Sequence, residues 1–272
     1  GALMQINIVV DTIFSTFLEE GTPTWLYLSQ RMMQLPLGIF AMALSTVLLP
    51  HLSKLFASND DEKFSNSLKQ SIRIVLFVGL PSMVGLSILS EEIISTIFLR
   101  GEFTYIDVYK TSYSLIVLAV ALPFLMIQRV LQPAFFSRLD TRAPLIISFL
   151  SVGVNIIMNY LLAFYLELGH VGIAGGFLVA ALISSSGFLY VLYKKNLIPA
   201  KYLFNHKNLV IIIISSLLAI LLFFISQNIS FAAISLANKI ITLCSMVLGS
   251  TLIYLALAYL FGIRFKAFKS NN

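Results

Sequence analysis

Long apolar runs separated by short polar stretches dominate the chain. Eight such runs can be delimited, at residues 1–18, 24–50, 71–98, 108–136, 143–166, 171–193, 208–226 and 238–263. A helix needs about 20 residues, with a range of roughly 17–25, to cross the hydrocarbon core of a bilayer. Each run reaches that range, so the pattern predicts an all-α polytopic membrane protein with eight transmembrane helices.

Composition supports the same class of protein. Of the 272 residues, 58% are hydrophobic and only 11% are charged, whereas soluble domains carry about 25% charged residues. The chain starts at Gly1 and is apolar from its first residues, without the basic segment and cleavage site of a signal peptide. We therefore expect a segment from the interior of a longer membrane protein, with no nucleic-acid partner.

Basic residues divide unequally between the two sides of the predicted spans. The loops after spans two, four and six, with the tail after span eight, hold thirteen: Lys54, Lys63, Lys69, Arg73, Arg138, Arg142, Lys194, Lys195, Lys201, Lys207, Arg264, Lys266 and Lys269. The opposite loops hold three, namely Arg100, Lys110 and Lys239. Because cytoplasmic loops carry the excess of Lys and Arg, both ends of the chain are predicted to be cytoplasmic.

Three charged residues lie away from the loops, well inside the predicted spans. Asp11 falls in span one, Arg31 in span two and Arg129 in span four. Charges inside a bilayer are costly and usually face a bundle interior or an aqueous cavity. For Arg31, one interpretation is an ion pair with Asp11 that locks two helices, or a guanidinium that snorkels to the interface. The other is a cavity arginine that attracts an anionic substrate such as a phosphate.

Motifs of soluble catalytic and metal sites are absent from the sequence. It contains no HExxH, CxxC or GxSxG motif and no glycine-rich phosphate loop, and its single cysteine, Cys244, excludes a disulfide framework. A membrane-embedded transferase should show paired carboxylates or a metal cluster near the membrane surface. The one acidic run, Asp60 to Glu62, lies in a mixed-charge loop. The residues therefore give little support to such a transferase, which stays the less favoured alternative.

Several segments resemble the MurJ (MviN) family of lipid II flippases, within the multidrug/oligosaccharidyl-lipid/polysaccharide exporter superfamily. They are "QINIVVDTIFSTFLEEG", "QLPLGIFAMALSTVLLPHLSK", "LRGEFT" and "RVLQPAFFSRLDTRAP", in the order and spacing of the family. Members of that family have two six-helix lobes and two extra helices. Eight spans that begin in the cytoplasm match helices seven to fourteen, so the resemblance implies the second lobe plus the extra pair, without the first lobe.

This resemblance implies a domain organisation. A six-helix lobe would occupy residues 1–195, a polar and basic cytoplasmic linker residues 196–207, two additional transmembrane helices residues 208–264, and a cytoplasmic tail residues 265–272. The expected location is the bacterial cytoplasmic (inner) membrane, and the missing N-terminal lobe is an expected partner.

The resemblance also implies a substrate. Family members move lipid II, the undecaprenyl-diphosphate-linked disaccharide-pentapeptide, from the cytoplasmic to the outer leaflet by alternating access. Arg31 matches the family's cavity arginine on this lobe and is the predicted substrate-binding residue. Another exporter of the superfamily, for an O-antigen or capsule unit or for drugs, is the alternative. "QLPLGIF" and "DTRAP" favour the lipid II flippase.

A second predicted site is a sodium site. Asn155 and Asn159 are four residues apart and share one helix face, and Asp11 and Asn155 match the family's sodium ligands, with Val171 offering a backbone carbonyl. Asn159 stands where the family pattern has a carboxylate, and no Thr or Ser follows at the start of span six. The alternative is that the two asparagines form interhelical hydrogen bonds only.

Three arginines are candidate lipid or head-group contacts. Arg129 lies towards the cytoplasmic end of span four, and Arg138 and Arg142 flank the turn "RLDTRAP". Arginines at such depths snorkel to the interface or bind lipid phosphates. Gly172 and Gly176 have the GxxxG spacing of a helix-packing face.

Overall fold

The computed structural model describes residues 2–199, 202, 205–229, 231 and 235–263. These residues form helices and connecting turns, without a β-strand in the described ranges. We number the helices α1 Ala2–Ser15, α2 Thr22–Ala57, α3 Asp61–Ile88, α4 Ser90–Phe98, α5 Tyr105–Phe136, α6 Arg142–Tyr165, α7 Gly169–Lys194, α8 His206–Gln227 and α9 Leu236–Leu260. The predicted all-α class is confirmed.

Seven of the predicted spans are confirmed as helices long and apolar enough to cross a membrane: α2, α3 and α5 to α9. The first predicted span differs, because α1 has 14 residues within the described part of the chain. At about 1.5 Å per residue these residues cover roughly 21 Å, less than the hydrocarbon core of about 30 Å.

The third predicted span, 71–98, was wrong in its limits. Helix α3 begins ten residues earlier, at Asp61, where the Asp60 side chain accepts a 3.0 Å hydrogen bond from the Lys63 amide and caps the helix. It ends at Ile88, and Leu89 (φ −95°, ψ 19°) leaves the helical conformation. Glu91 and Glu92 then lie in the first turn of α4, where carboxylates favour a new helix start.

Two membrane helices contain wider, π-type turns. In α2 they cover Leu37–Met42, directly after Pro36, and in α6 they cover Tyr160–Tyr165. Proline removes a backbone donor and pushes against the preceding turn, which accounts for the first of these two segments. Pro81, Pro123 and Pro133 also lie inside helices, as predicted.

Helix α5 lies at the centre of the first six membrane-associated helices. Of the most apolar 18-residue segment of α5, 67% is buried, whereas the corresponding value for α9 is 11%. It packs against α2, α3 and α7, and aromatic pairs such as Phe135 with Phe188 (ring centroids 5.3 Å apart) fill the interface between α5 and α7. This arrangement leaves α1 and α6 beside α7, where the candidate site forms.

The last two helices belong to a second hydrophobic cluster, built from α8 and α9 with Val84, Leu89 and neighbouring residues of α3 and α4. The connecting segment is fastened to α3 by Tyr202, whose hydroxyl donates a 2.5 Å hydrogen bond to the Lys69 carbonyl. Asn208 in turn donates to the Tyr202 carbonyl at 2.9 Å. The predicted tail, 265–272, and the basic residues Lys201, Arg264, Lys266 and Lys269 lie outside the described residues.

Candidate functional site

Asp11 of α1 is held by two asparagines of α6. The side-chain amide of Asn159 donates to Asp11 Oδ1 at 2.7 Å, and that of Asn155 donates to the same oxygen at 3.1 Å. All three residues are at most 2% exposed. The structure therefore brings together three of the four residues of the predicted sodium site.

Three oxygens in this cluster have no hydrogen-bond partner among the described residues. They are Asp11 Oδ2, Asn155 Oδ1 and Asn159 Oδ1. Buried polar atoms are normally satisfied by protein, water or an ion, so these oxygens are the feature of the cluster that fits a hard cation. The amide hydrogen bonds also fit the alternative interpretation, in which the asparagines only link helices.

Helix α7 packs directly against this cluster through Gly176. A Cβ atom at Gly176 would collide with Asn159 Oδ1, and one at Gly172 would come within 2.5 Å of the Ala163 backbone nitrogen. Glycine is thus required at both positions by the close approach of α6 and α7. The predicted packing role of the GxxxG spacing is confirmed.

Val171 lies in the first turn of α7, and within the described part of the chain no hydrogen bond joins it to Asp11 or the asparagines. A group of three or more His, Cys, Asp or Glu side chains that could hold a metal ion is likewise not found among the described residues. A cation here would have one carboxylate and amide oxygens as ligands, a set suited to a monovalent ion.

Arg31 lies on an exposed face of α2, with its guanidinium 4.8 Å from the centre of the Tyr27 ring. It forms no ion pair with a carboxylate in the described residues, so the Asp11–Arg31 pair considered from the sequence is not observed. Tyr27 and Gln30 line a cavity of about 40 Å³ together with Asp11. Tyr27 therefore lies between the exposed arginine and the buried carboxylate.

The three other candidate arginines differ in their surroundings. Arg138 pairs with Asp61 at 2.5 Å and stacks on the Phe64 ring at 4.6 Å, which gives it a structural role at the ends of α3 and α5. Arg142 is exposed at the start of α6. Arg129 lines a cavity of about 330 Å³ between α5, α6 and α7.

This larger cavity contains residues that sequence reasoning missed. Asn7 of α1, Gln128 and Gln132 of α5, and Ser184 of α7 line it. One signal was available, because Asn7 precedes Asp11 by one helical turn and so shares its face of α1. The glutamines and the serine gave no such signal, since their meeting depends on how α5 and α7 pack.

On the side predicted to be outside, a polar network joins α5 to the turn before α2, to α2 and to α7. Trp25 donates from its indole nitrogen to Asp107 at 2.8 Å, and Lys110 pairs with Glu19 at 2.5 Å. His170 at the start of α7 is hydrogen-bonded to Ser114 at 2.8 Å. These contacts fix α2 and α7 on α5 and thereby set the position of Arg31.

On the other side, Asp140 holds the turn between α5 and α6. Its carboxylate pairs with Lys195 at 2.5 Å and accepts from the Ala143 amide at 3.2 Å. The hydrogen bond from Lys195 is the main reason that the pKa of Asp140 lies below its usual value. Thr141, at the N-cap position of α6, forms no side-chain cap.

Comparison with known proteins decides the family. A family model described as "Lipid II flippase MurJ" matches residues 1–250. The chain belongs to this family. The "probable lipid II flippase MurJ" of Vibrio cholerae is 30% identical over 274 residues, covering 99% of this chain and 51% of that protein. That of Haemophilus influenzae is 28% identical and covers 97% of this chain and 52% of its own length.

Solved structures agree with the family assignment. A structure of lipid II flippase MurJ in an inward closed conformation matches with a TM-score of 0.76 and 31% identity, over 95% of this chain and 51% of that one. An outward-facing multidrug resistance transporter of the MATE family and MOP superfamily matches with a TM-score of 0.63 at 17% identity, which shows a shared fold alone. The chain spans about half the length of the MurJ relatives that it matches.

Proposed function

We propose that this chain forms the second lobe and the two extra helices of a lipid II flippase. Lipid II would move from the cytoplasmic to the outer leaflet of the bacterial inner membrane. Membership of the MurJ family supports the substrate, and the coverage of about half of each relative supports a further, N-terminal lobe as the partner. The proposed protein is a transporter and not an enzyme.

The observation that carries this proposal is the exposed guanidinium of Arg31 within an otherwise apolar membrane helix. Exposing a charge to lipid is costly, so the exposed face of α2 is expected to border an aqueous cavity. A guanidinium can form two parallel hydrogen bonds with a phosphate. Arg31 is therefore assigned to bind the diphosphate or another anionic part of the head group.

Movement of the substrate would follow from rocking of two lobes about a central site. The network that joins Trp25 to Asp107 and Lys110 to Glu19 keeps the outer ends of α1, α2 and α5 together. These helices would consequently move as one body. Arg31 would then be carried with that body from one side of the membrane to the other.

We further propose that a monovalent cation, sodium by the family resemblance, binds at Asp11. A bound cation would neutralise the buried carboxylate and accept the unpartnered oxygens of Asn155 and Asn159 as ligands. For this the side-chain amides would rotate, since their nitrogens face Asp11 in this structure. Asp11, Asn155 and Asn159 would thereby couple the position of α1 to that of α6.

The orientation that we propose has both ends of the chain in the cytoplasm. It rests on the thirteen basic residues of one side against three of the other. Among the described residues, this orientation places the α5–α6 turn with Asp140 in the cytoplasm and the α4–α5 loop with Arg100 outside.

A second candidate is an exporter of another substrate within the same superfamily. The shared fold with a multidrug transporter supports it. The decisive test is translocation of lipid II by the full-length protein reconstituted in vesicles, beside a lipid-linked glycan of another class. Lipid II alone should move; transport of the other glycan or of a cationic drug, without lipid II, would overturn the proposal.

A further inference from the structure

The cavity between α5, α6 and α7 has the chemistry of a binding site that the proposed transport cycle does not use. Its volume, about 330 Å³, lies at the lower end of the range for small-molecule sites. Seven neutral hydrogen-bonding side chains line it: Asn7, Gln128, Gln132, Thr141, Ser148, Ser151 and Ser184. Arg129 is the single charged residue among the described residues that line it.

Two polar groups in the wall lack a partner among the described residues. Ser184 is 1% exposed and its hydroxyl makes no hydrogen bond, and the buried carbonyl oxygen of the Asn7 side chain makes none either. By contrast, the neighbouring Ser151 donates to the Ala180 carbonyl at 3.0 Å. Buried polar groups in native structures are normally satisfied, so the cavity is expected to hold a polar group that Ser184 can contact.

The charge of the cavity favours an anion. Arg129 contributes a full positive charge, and Thr141 and Pro144 bring the N-terminal end of α6 to the wall. The N-terminus of a 24-residue helix carries the positive end of its dipole. The described lining residues include no carboxylate, and a guanidinium binds phosphate oxygens in a bidentate manner.

The mouth of the cavity is apolar. Phe136 and Leu145 line it and are 43% and 52% exposed, and Ile146 and Phe149 continue an exposed apolar surface along α6. Both Phe136 and Thr141 lie at helix ends, so the mouth is at the level of the membrane interface. A polar interior with an apolar rim at this level suits an amphiphile with an anionic head and hydrocarbon tails.

We propose that this cavity binds a membrane phospholipid with one anionic phosphodiester, of the phosphatidylglycerol type. Arg129 supplies the countercharge, Ser184 and the glutamines hydrogen-bond the head group, and the tails lie along Leu145, Ile146 and Phe149. One guanidinium balances one phosphodiester, whereas the diphosphate of a lipid-linked substrate carries more charge. The site is separate from Arg31, so the proposal does not depend on lipid II being the transported substrate.

The test is native mass spectrometry of the full-length protein with added phosphatidylglycerol, phosphatidylcholine or undecaprenyl diphosphate, without lipid II. Arg129→Gln and Ser184→Ala are compared with matched controls outside the cavity. Arg100→Gln removes an exposed arginine of the loop between α4 and α5, which does not line the cavity. Ser185→Ala removes the adjacent buried serine, which donates to the Leu182 carbonyl at 3.1 Å.

The wild-type protein should retain phosphatidylglycerol in preference to phosphatidylcholine. Loss of the charge-assisted contact should lower that retention at least about threefold in Arg129→Gln, and less in Ser184→Ala, with both controls like wild type. Equal retention by Arg129→Gln and Arg100→Gln would overturn the proposal. It would also fall if undecaprenyl diphosphate alone bound in an Arg129-dependent manner, because the site would then belong to the substrate. Ser184→Ala gives a second variant should Arg129→Gln fail to fold.

Discussion

Asn159 and Asp11 are joined by a 2.7 Å hydrogen bond, although they lie 148 positions apart in the chain. This bond, with that of Asn155, connects α6 to α1 at a depth where water is scarce. A carboxyl group in such a place is either protonated or compensated by hydrogen bonds or a cation. The cluster is thus a mechanical connection between two helices and the candidate cation site.

Replacing Asp11 by alanine should destabilise the protein. The change leaves the amides of Asn155 and Asn159 buried without their acceptor, and an unsatisfied buried donor costs about 1–3 kcal/mol. Thermal unfolding of the full-length protein in detergent measures the effect. Glu102→Ala is the control, because Glu102 is exposed in the loop before α5, and a similar loss of stability in both variants would contradict the account.

Asn159→Asp should strengthen binding of sodium. The substitution places a second carboxylate beside Asp11, and hard cations prefer such oxygens. We expect a larger rise in the melting temperature on replacing potassium by sodium than in the wild type, with lower stability when sodium is absent. Asn196→Asp adds the same charge at an exposed turn and should show no such rise. The absence of any sodium dependence in Asn159→Asp would remove the cation interpretation and leave the interhelical hydrogen bonds.

Gly176→Ala should disrupt the cluster. The new methyl group would collide with Asn159 Oδ1, so α7 must move away from α6 and the packing near Asp11 must open. Gly249→Ala, in α9, meets no atom within 4 Å and should be neutral or stabilising by up to about 1 kcal/mol, since alanine favours helix. Comparison of the two melting temperatures checks this, and equal effects would show that α6 and α7 are not in such close contact.

The Asp140–Lys195 pair should make a small, pH-dependent contribution to stability. The folded-state pKa of Asp140 is lowered, chiefly by the hydrogen bond from Lys195. The contribution is therefore present above the ordinary aspartate pKa of 3.8 and lost as the pH falls towards the lowered value. A partly exposed pair contributes at most about 1 kcal/mol.

A double-mutant cycle with Asp140→Asn and Lys195→Gln, at pH 7 and at pH 3, measures this contribution. The coupling free energy should be positive at pH 7 and smaller at pH 3. A coupling that grows on acidification would have the wrong sign for a carboxylate with a lowered pKa. Glu62→Gln, at an exposed position in the first turn of α3, should give no coupling with Lys195→Gln.

The fold was largely accessible from the sequence, since hydropathy alone places most membrane helices. The errors of the sequence prediction have local causes. Capping by Asp60 extends α3 into a stretch that had been assigned to a loop, and Leu89 ends α3 within an apolar run. A run of apolar residues indicates where a helix can lie in a membrane. It does not indicate at which residues the helical backbone hydrogen bonds begin and end.

The candidate site was accessible only in part. The meeting of Asp11 with Asn155 and Asn159 was expected from the family resemblance, and the four-residue spacing placed both asparagines on one face. The Arg129 cavity was not foreseen, because its walls come from four helices whose relative rotation is set by packing. The alternation of apolar and polar positions carries little information about that rotation in helices such as α7, where apolar residues surround the axis.

The most direct test of the proposed function is complementation of bacterial cells depleted of their own lipid II flippase. The full-length protein, as wild type, Arg31→Ala or Arg31→Lys, is expressed to equal levels, and lipid II exposed on the outer leaflet is measured. Arg100→Ala, which removes an exposed arginine of the loop between α4 and α5, is the control. We expect wild type and Arg100→Ala to restore exposure, Arg31→Ala to fail, and Arg31→Lys to restore part of it. Full exposure with Arg31→Ala would contradict the assignment of Arg31 to the substrate, and a stably inserted wild type that restores none would contradict lipid II as the substrate.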